Sequence, residues 1–271
     1  MNIAIIQQSP DIGGAETFIR QVTSSFLQQK HTVYFLTNEG KFFTSLKPLP
    51  ITLYRIPRIF DIGGNLRGLI KSAFYLPYLA LFYYKILSFL KKKRQLDVIL
   101  ASGFSEKLLV TLIATTLGIP AVWTEYAPLE PIFKRNFGLP KLLYLFTYRF
   151  AKKIIVPTVY TQKALIALHL TRKKLIVIPC GTPIPSKVKK EKSLIWMFDL
   201  HSRLVIGSVS RLTREKGQQY LIRAMEEIVK KNPRAILLIV GQGPDEGYFK
   251  SIIQQLGLKD YVRLLGFQNK L

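Results

Sequence analysis

Apolar runs of five to seven residues recur along the chain, and longer stretches lie between most of them in which apolar positions return every three or four residues. The runs at 2–6, 31–37, 97–101, 121–125, 153–158, 175–179, 204–209, 235–240 and 261–265 predict strands. The amphipathic stretches at 15–29, 66–93, 106–117, 139–152, 161–169, 215–231 and 245–256 predict helices. The strand runs are apolar on both faces, as strands are when a parallel sheet is covered by helices on its two sides. The pattern therefore predicts an α/β chain. It breaks once, at 181–202, where Gly181, Pro183 and Pro185 precede the run KVKKEK, and this predicts a crossing between two domains, 1–182 and 183–271.

Composition adds three points. A chain of 271 residues with 48% hydrophobic content buries more than one core. Its single cysteine, Cys180, forms no internal disulfide and suits a reducing cytoplasm, and the opening MNIAIIQQSP reads as a strand with no basic leader before it. The net charge of +24 is spread over both halves, 24 basic against 8 acidic residues in 1–182 and 16 against 8 in 183–271. Such a field favours anionic partners: nucleotide diphosphates, phospholipid head groups or polyanions. No zinc-finger spacing, RNA-binding signature or recognition-helix pattern accompanies it, so no specific nucleic-acid partner is expected. The histidines His31, His169 and His201 are scattered and suggest no metal site.

The richest stretch is 204–244, LVIGSVSRLTREKGQQYLIRAMEEIVKKNPRAILLIVGQGP. A buried strand delivers Arg211 to its carboxyl edge, Lys216 follows beside a helix start, and a second apolar run closes in Gly241-Gln242-Gly243-Pro244. Two cations and helix-terminal N–H groups together neutralise a diphosphate that neither would hold alone. The alternative is a solvated strand–helix corner for Arg211 and Lys216, and plain turn glycines for Gly241 and Gly243.

The segment resembles the donor-binding half of the retaining GT-B "group 1" nucleotide-sugar glycosyltransferases, similar to family 4, whose S-R-L-x-x-x-K-G arginine and lysine hold the donor diphosphate. The resemblance runs through nearly the whole chain. Gly13 and Gly14, in GGAE after the first strand, resemble the family's N-terminal glycine loop, which faces its interdomain cleft. LDVILA at 96–101 and GIPAVWTEY at 118–126 resemble two further family strands, with Tyr126 where a histidine is usual. Glu125 and Tyr126 are the catalytic candidates there, with a core aromatic at a strand end as the alternative. IVIPCGTP at 176–183 resembles the family's domain crossing; Cys180 replaces its asparagine and is read as structural.

The resemblance implies two Rossmann-like domains, the second incomplete. After VRLLGF at 262–267 the family continues with the E-x7-E carboxylates and nucleobase contacts, so little turnover and an open sheet edge near 261–265 are expected. It also implies sugar transfer from a nucleotide-diphosphate donor to an acceptor hydroxyl on a glycan or lipid-linked acceptor, with retention and with no metal or cofactor. A non-catalytic binding module and a basic polyanion-binding protein are the rival readings.

One further stretch bears on location. AFYLPYLALFYYKILSFL, from Ala73 to Leu90, is followed by the basic run that ends at Arg94. Its length approaches a membrane span, and its aromatics and flanking cations also suit a helix lying at an anionic membrane surface. A span would split a strand–helix–strand unit across the bilayer. A sheet-covering helix with peripheral membrane contact at 73–94 is therefore expected, at the cytoplasmic face of the cell membrane.

Overall fold

The structure, a computed structural model, describes residues 1–9, 11–57, 61–62, 66–126, 129–181 and 200–268. The run KVKKEK and most of the expected crossing lie outside the described residues. The chain divides into two compact units, Met1–Pro183 and Ile184–Leu271.

In the first unit seven strands form one parallel sheet: β1 (Asn2–Ile6), β2 (Thr32–Thr37), β3 (Thr52–Arg55), β4 (Val98–Ala101), β5 (Ala121–Thr124), β6 (Lys153–Val156) and β7 (Leu175–Val177). Their order is β3-β2-β1-β4-β5-β6-β7. The helices are α1 (Gly14–Gln28), α2 (Lys41–Leu46), α3 (Leu66–Arg94), α4 (Phe104–Thr116), α5 (Glu130–Phe133), α6 (Leu139–Thr147) and α7 (Val159–Ala167). Successive side chains of a strand point to opposite faces, and both faces are used. Ile3 and Ile5 join Ile19 of α1 and Phe42 and Leu46 of α2 in one core. Ala4 and Ile6 join Leu79, Tyr83 and Leu87 of α3, Leu108 of α4, Tyr144 of α6 and Leu165 of α7 in the other. Burial on two faces is why these strands read as unbroken apolar runs. The order reverses between β1 and β4, and the loops leaving their carboxyl ends part there to leave a crevice.

The 29-residue α3 is held by one stripe, Leu79, Tyr83, Leu87 and Leu90, at helical spacing. By length and composition it is apolar enough to cross a membrane, yet it connects two strands of one sheet and lies along that sheet. Neither β3 nor α2 was foreseen: β3 has no fully buried residue and so no unbroken apolar run, and six residues in α2 are too few for a helical period to show.

The second unit has β8 (Leu204–Val209), β9 (Ala235–Val240) and β10 (Val262–Leu264), parallel in the order β10-β9-β8. Helices α8 (Gln218–Lys231) and α9 (Glu246–Gln255) cover a core of Leu212, Ile222, Met225, Leu237, Ile239 and Phe249. Two expectations are corrected here. The run at 204–209 was expected to be buried, but β8 pairs with β9 alone among the described residues and leaves Leu204, Val205 and Val209 exposed at 54%, 44% and 67%. The helix expected from 215 begins at Gln218: Arg214–Lys216 is a 3-10 turn, and Gly217 at φ +77° separates it from α8. A left-handed residue cannot continue a right-handed helix, so Lys216 stands just before the helix rather than in it.

Candidate functional site

The first unit opens a cavity of about 190 Å³ at the carboxyl ends of β1, β4 and β5, lined among others by Gln7, Glu16, Ser102, Lys107, Glu125 and Tyr126. Gln7 follows β1 and is 4% exposed. Its Nε2 donates to Glu16 Oε1 at 2.9 Å, and the Gly13 N–H donates to Glu16 Oε2 at 2.9 Å. The Glu16 carboxylate thus closes the first turn of α1, satisfying an N–H that the helix leaves open. Gln7 Oε1 has no hydrogen-bond partner among the described residues. Neither Gly13 nor Gly14 has a positive φ, and a Cβ on Gly14 would meet nothing within 4 Å.

The two candidates after β5 differ in kind. Glu125 is 3% exposed, and its Oε1 accepts from Lys107 Nζ at 2.7 Å and from the Tyr144 hydroxyl at 2.9 Å. Lys107, 1% exposed, also donates to the Thr124 carbonyl at 2.9 Å and lies 5.6 Å from the Trp123 ring centroid. The carboxylate is therefore one half of a buried ion pair. Tyr126 packs edge-on against Phe18, with centroids 5.2 Å apart. Burial pushes its phenol up to about 12 against the opposing hydrogen bond with Thr124, so at neutral pH it offers a hydroxyl, not a phenolate. Cys180 is exposed.

In the second unit the loop after β8 carries the remaining candidates. Leu212 is fully buried, and its flanks, Arg211 and the turn to Lys216, are on the surface. Gly241 and Gly243 make this loop possible. A Cβ on Gly241 would come within 1.9 Å of the Ser210 carbonyl oxygen, and one on Gly243 within 2.2 Å of the Leu212 carbonyl oxygen. The two loops are laced by Leu212 N–H to the Gln242 carbonyl at 3.0 Å and Asp245 N–H to the Leu212 carbonyl at 3.2 Å. Gln218, 2% exposed, ties the start of α8 to the same loop by donating to Ser210 Oγ and to the Arg211 carbonyl.

The basic side chains of the loop divide into two kinds. Arg214, also exposed, is partnered within the fold: its backbone N–H donates to Asp245 Oδ2 at 2.9 Å, and its guanidinium sits 4.0 Å from the Tyr248 ring centroid. Arg211 and Lys216 are exposed and form no ion pair among the described residues. The adjacent N-terminus of α8 has Gly217 as its cap, with no side-chain cap and no acidic residue in its first turn. Positive side chains beside a helix start favour an anion, and Glu215, next to Lys216 in the 3-10 turn, opposes them in part.

The structure thus gathers Arg211, Lys216, Gly241 and Gly243 at one edge of the second sheet, and Gly13, Glu125 and Tyr126 around the cavity of the first unit. Gln7, Lys107, Arg214 and Gln218 were missed. Lys107 left one trace in sequence, a Glu-Lys pair within an otherwise apolar helix; the others depend on contacts that no local pattern reveals. No group of three or more His, Cys, Asp or Glu side chains suited to a metal ion occurs among the described residues.

Comparison with known proteins bears on the family and the fold. Residues 12–184 match the family described as Glycosyltransferase Family 4, and residues 198–271 match Glycosyl transferases group 1. An uncharacterized glycosyltransferase of Methanocaldococcus jannaschii is 32% identical over 155 residues, 54% of this chain and 37% of that protein. The alpha-monoglucosyldiacylglycerol synthase of Acholeplasma laidlawii is 25% identical over 300 residues, 98% of this chain and 70% of the synthase. This chain therefore spans little more than a third of the archaeal relative. Among solved structures, Anabaena HepE in complex with UDP and glucose superimposes with a TM-score of 0.78 at 22% identity, covering 99% of this chain and 70% of HepE. The fold is that of the GT-B glycosyltransferases, and with more than half its length matched by the first of these families, the chain belongs to glycosyltransferase family 4.

Proposed function

We propose that this chain binds a nucleotide-diphosphate sugar and transfers the sugar, with retention, to an acceptor hydroxyl in the synthesis of a cell-envelope glycan or glycolipid. The observation that carries this reading is the loop after β8, where Arg211 and Lys216 are exposed and form no ion pair among the described residues, beside a start of α8 that has no side-chain cap. When the bond between sugar and diphosphate breaks, negative charge gathers on the departing diphosphate. Preorganised cations and N–H dipoles stabilise that charge more than they stabilise the intact donor, which lowers the barrier. The reading assigns this work to Arg211, Lys216 and the helix start, and invokes no metal or cofactor.

The acceptor belongs to the cavity of the first unit. Gln7, Ser102 and Tyr126 line it with polar side chains that suit an acceptor bearing hydroxyls. Glu125, neutralised by Lys107, orients the cavity wall, and Tyr126 adds a neutral hydroxyl. A lipid-linked acceptor accords with the exposed aromatics of α3, among them Phe74 and Tyr78 at 81% and 54%, and with the basic end Lys91–Arg94. On this reading the protein works at the cytoplasmic face of a membrane, held through residues 73–94 by reversible contact.

Calorimetric titration with UDP, and with GDP in parallel, tests the donor assignment. Arg211→Ala and Lys216→Ala each remove one charge-assisted contact of about 1.5–3 kcal/mol, and each should weaken the better-bound nucleotide roughly ten- to 100-fold. Unchanged affinity in both variants, with the wild type binding, would remove the diphosphate from this loop. Sugar transfer by the purified chain separates an enzyme from a binding module.

A further inference from the structure

We infer that α6 and α3 together form one face that seats the first unit on an anionic lipid surface. This rests on the peripheral-membrane reading of α3 and extends it to a helix on which that reading does not depend. Side chains of α3, α4 and α6 share the core on one face of the seven-stranded sheet, whereas α1 and α2 pack into the core on the other. The three helices therefore lie side by side and turn their outer surfaces the same way.

That outer surface carries exposed apolar side chains on all three, densest on α3 and α6. It presents Phe74 and Tyr78 of α3, Leu112 of α4, and Leu142 and Phe146 of α6, the last two at 66% and 53% exposure. Leu142 and Phe146 are four residues apart and form one ridge. The loop leading into α6 adds Phe137, which is fully exposed. Exposed aromatic and aliphatic side chains grouped on one side of a domain mark a surface of contact.

Charge selects the occupant. Neither α3 nor α6 contains an Asp or Glu, and the chain has no carboxylate side chain between Glu130 and Glu191. Basic residues flank the apolar area instead: Arg67, Lys71 and Lys91–Arg94 on α3, Lys141 on α6 and Arg149 after it. Aromatic and aliphatic area edged by unopposed cations fits a bilayer interface, where acyl chains lie just beneath anionic head groups. A second copy of this chain would bring like charges together. A polyanion without an apolar layer would leave Phe74, Leu142 and Phe146 in water.

Co-sedimentation with phosphatidylcholine vesicles, with and without phosphatidylglycerol, tests the inference on the whole chain. The wild type should bind the vesicles containing phosphatidylglycerol and release them as salt rises. Leu142→Glu/Phe146→Glu on α6 and Phe74→Glu/Tyr78→Glu on α3 should each weaken binding at least tenfold, with the circular dichroism spectrum unchanged because all four side chains are exposed. Lys141→Gln/Arg149→Gln, which leaves the apolar area in place, should weaken it at low salt. If the α3 variant loses binding while both α6 variants bind like the wild type, the role of α6 is overturned and the reading of α3 stands. If the wild type ignores vesicles, or sediments as a dimer that excludes them, both fail.

Discussion

Lys107→Met is expected to destabilise the first unit by about 3–5 kcal/mol, because it leaves the Glu125 carboxylate buried without its cation. In the folded chain Lys107 and Glu125 side chains are 1% and 4% exposed and 2.7 Å apart. The attraction between them offsets the cost of taking two charges out of water, and removing one partner exposes the whole of that cost for the other. Tyr144 still donates to Glu125 Oε1 in the variant, but one neutral donor does not replace an ammonium. Lys107→Met/Glu125→Gln removes both charges and should recover most of the loss. Urea denaturation of the two variants measures this. A single variant within about 1 kcal/mol of wild type, where exposed ion pairs fall, would show that the pair is wetter than its burial implies. Both residues line the cavity, so the same variant should also change its shape.

Gly241→Ala should be nearly as damaging in the second unit, for a steric reason. The residue has φ +142°, and an added Cβ would lie 1.9 Å from the Ser210 carbonyl oxygen. Neither side yields cheaply: the contact is with backbone, and that backbone carries Arg211 on the next residue. Backbone strain of about 1–3 kcal/mol and overpacking of a similar size add to a loss of roughly 2–6 kcal/mol. Under conditions where the variant stays folded, nucleotide affinity should fall as well, since the Arg211 loop must move. Gly14→Ala is the matching control. A Cβ there meets nothing within 4 Å and the residue is helical, so stability should hold or rise slightly. Equal effects at the two glycines would contradict the packing argument.

The layered architecture was legible in sequence because burial on both sheet faces writes itself as unbroken apolar runs; β1, β2 and β9 are buried nearly end to end. The same rule misled at β8, whose run of Leu204–Val209 is equally apolar although the strand is exposed. Composition reports what a strand is suited to pack against, not which neighbours it has. Arg211 and Lys216 stood out as candidates because their spacing is local, five positions from one to the other between a strand and a helix. Lys107 and Gln7 did not. Each takes its meaning from a partner outside its own element, Glu125 at 18 positions and Glu16 at nine, and the Tyr144 hydroxyl donates to Glu125 from another helix. The glycines Gly241 and Gly243 were visible as a motif, but that they serve the closeness of two loops emerges only from the distances to Ser210 and Leu212.

On the proposed function, the loop after β8 recognises a diphosphate. Titrating the wild type with the diphosphate and the monophosphate of one nucleoside, UDP against UMP or GDP against GMP, addresses it most directly. The second phosphate should tighten binding by at least about tenfold, the effect of one further charge-assisted contact. In Arg211→Ala/Lys216→Ala that ratio should fall towards one, while monophosphate affinity changes far less. Equal affinity for diphosphate and monophosphate in the wild type, or an undiminished ratio in the double variant, would contradict the account.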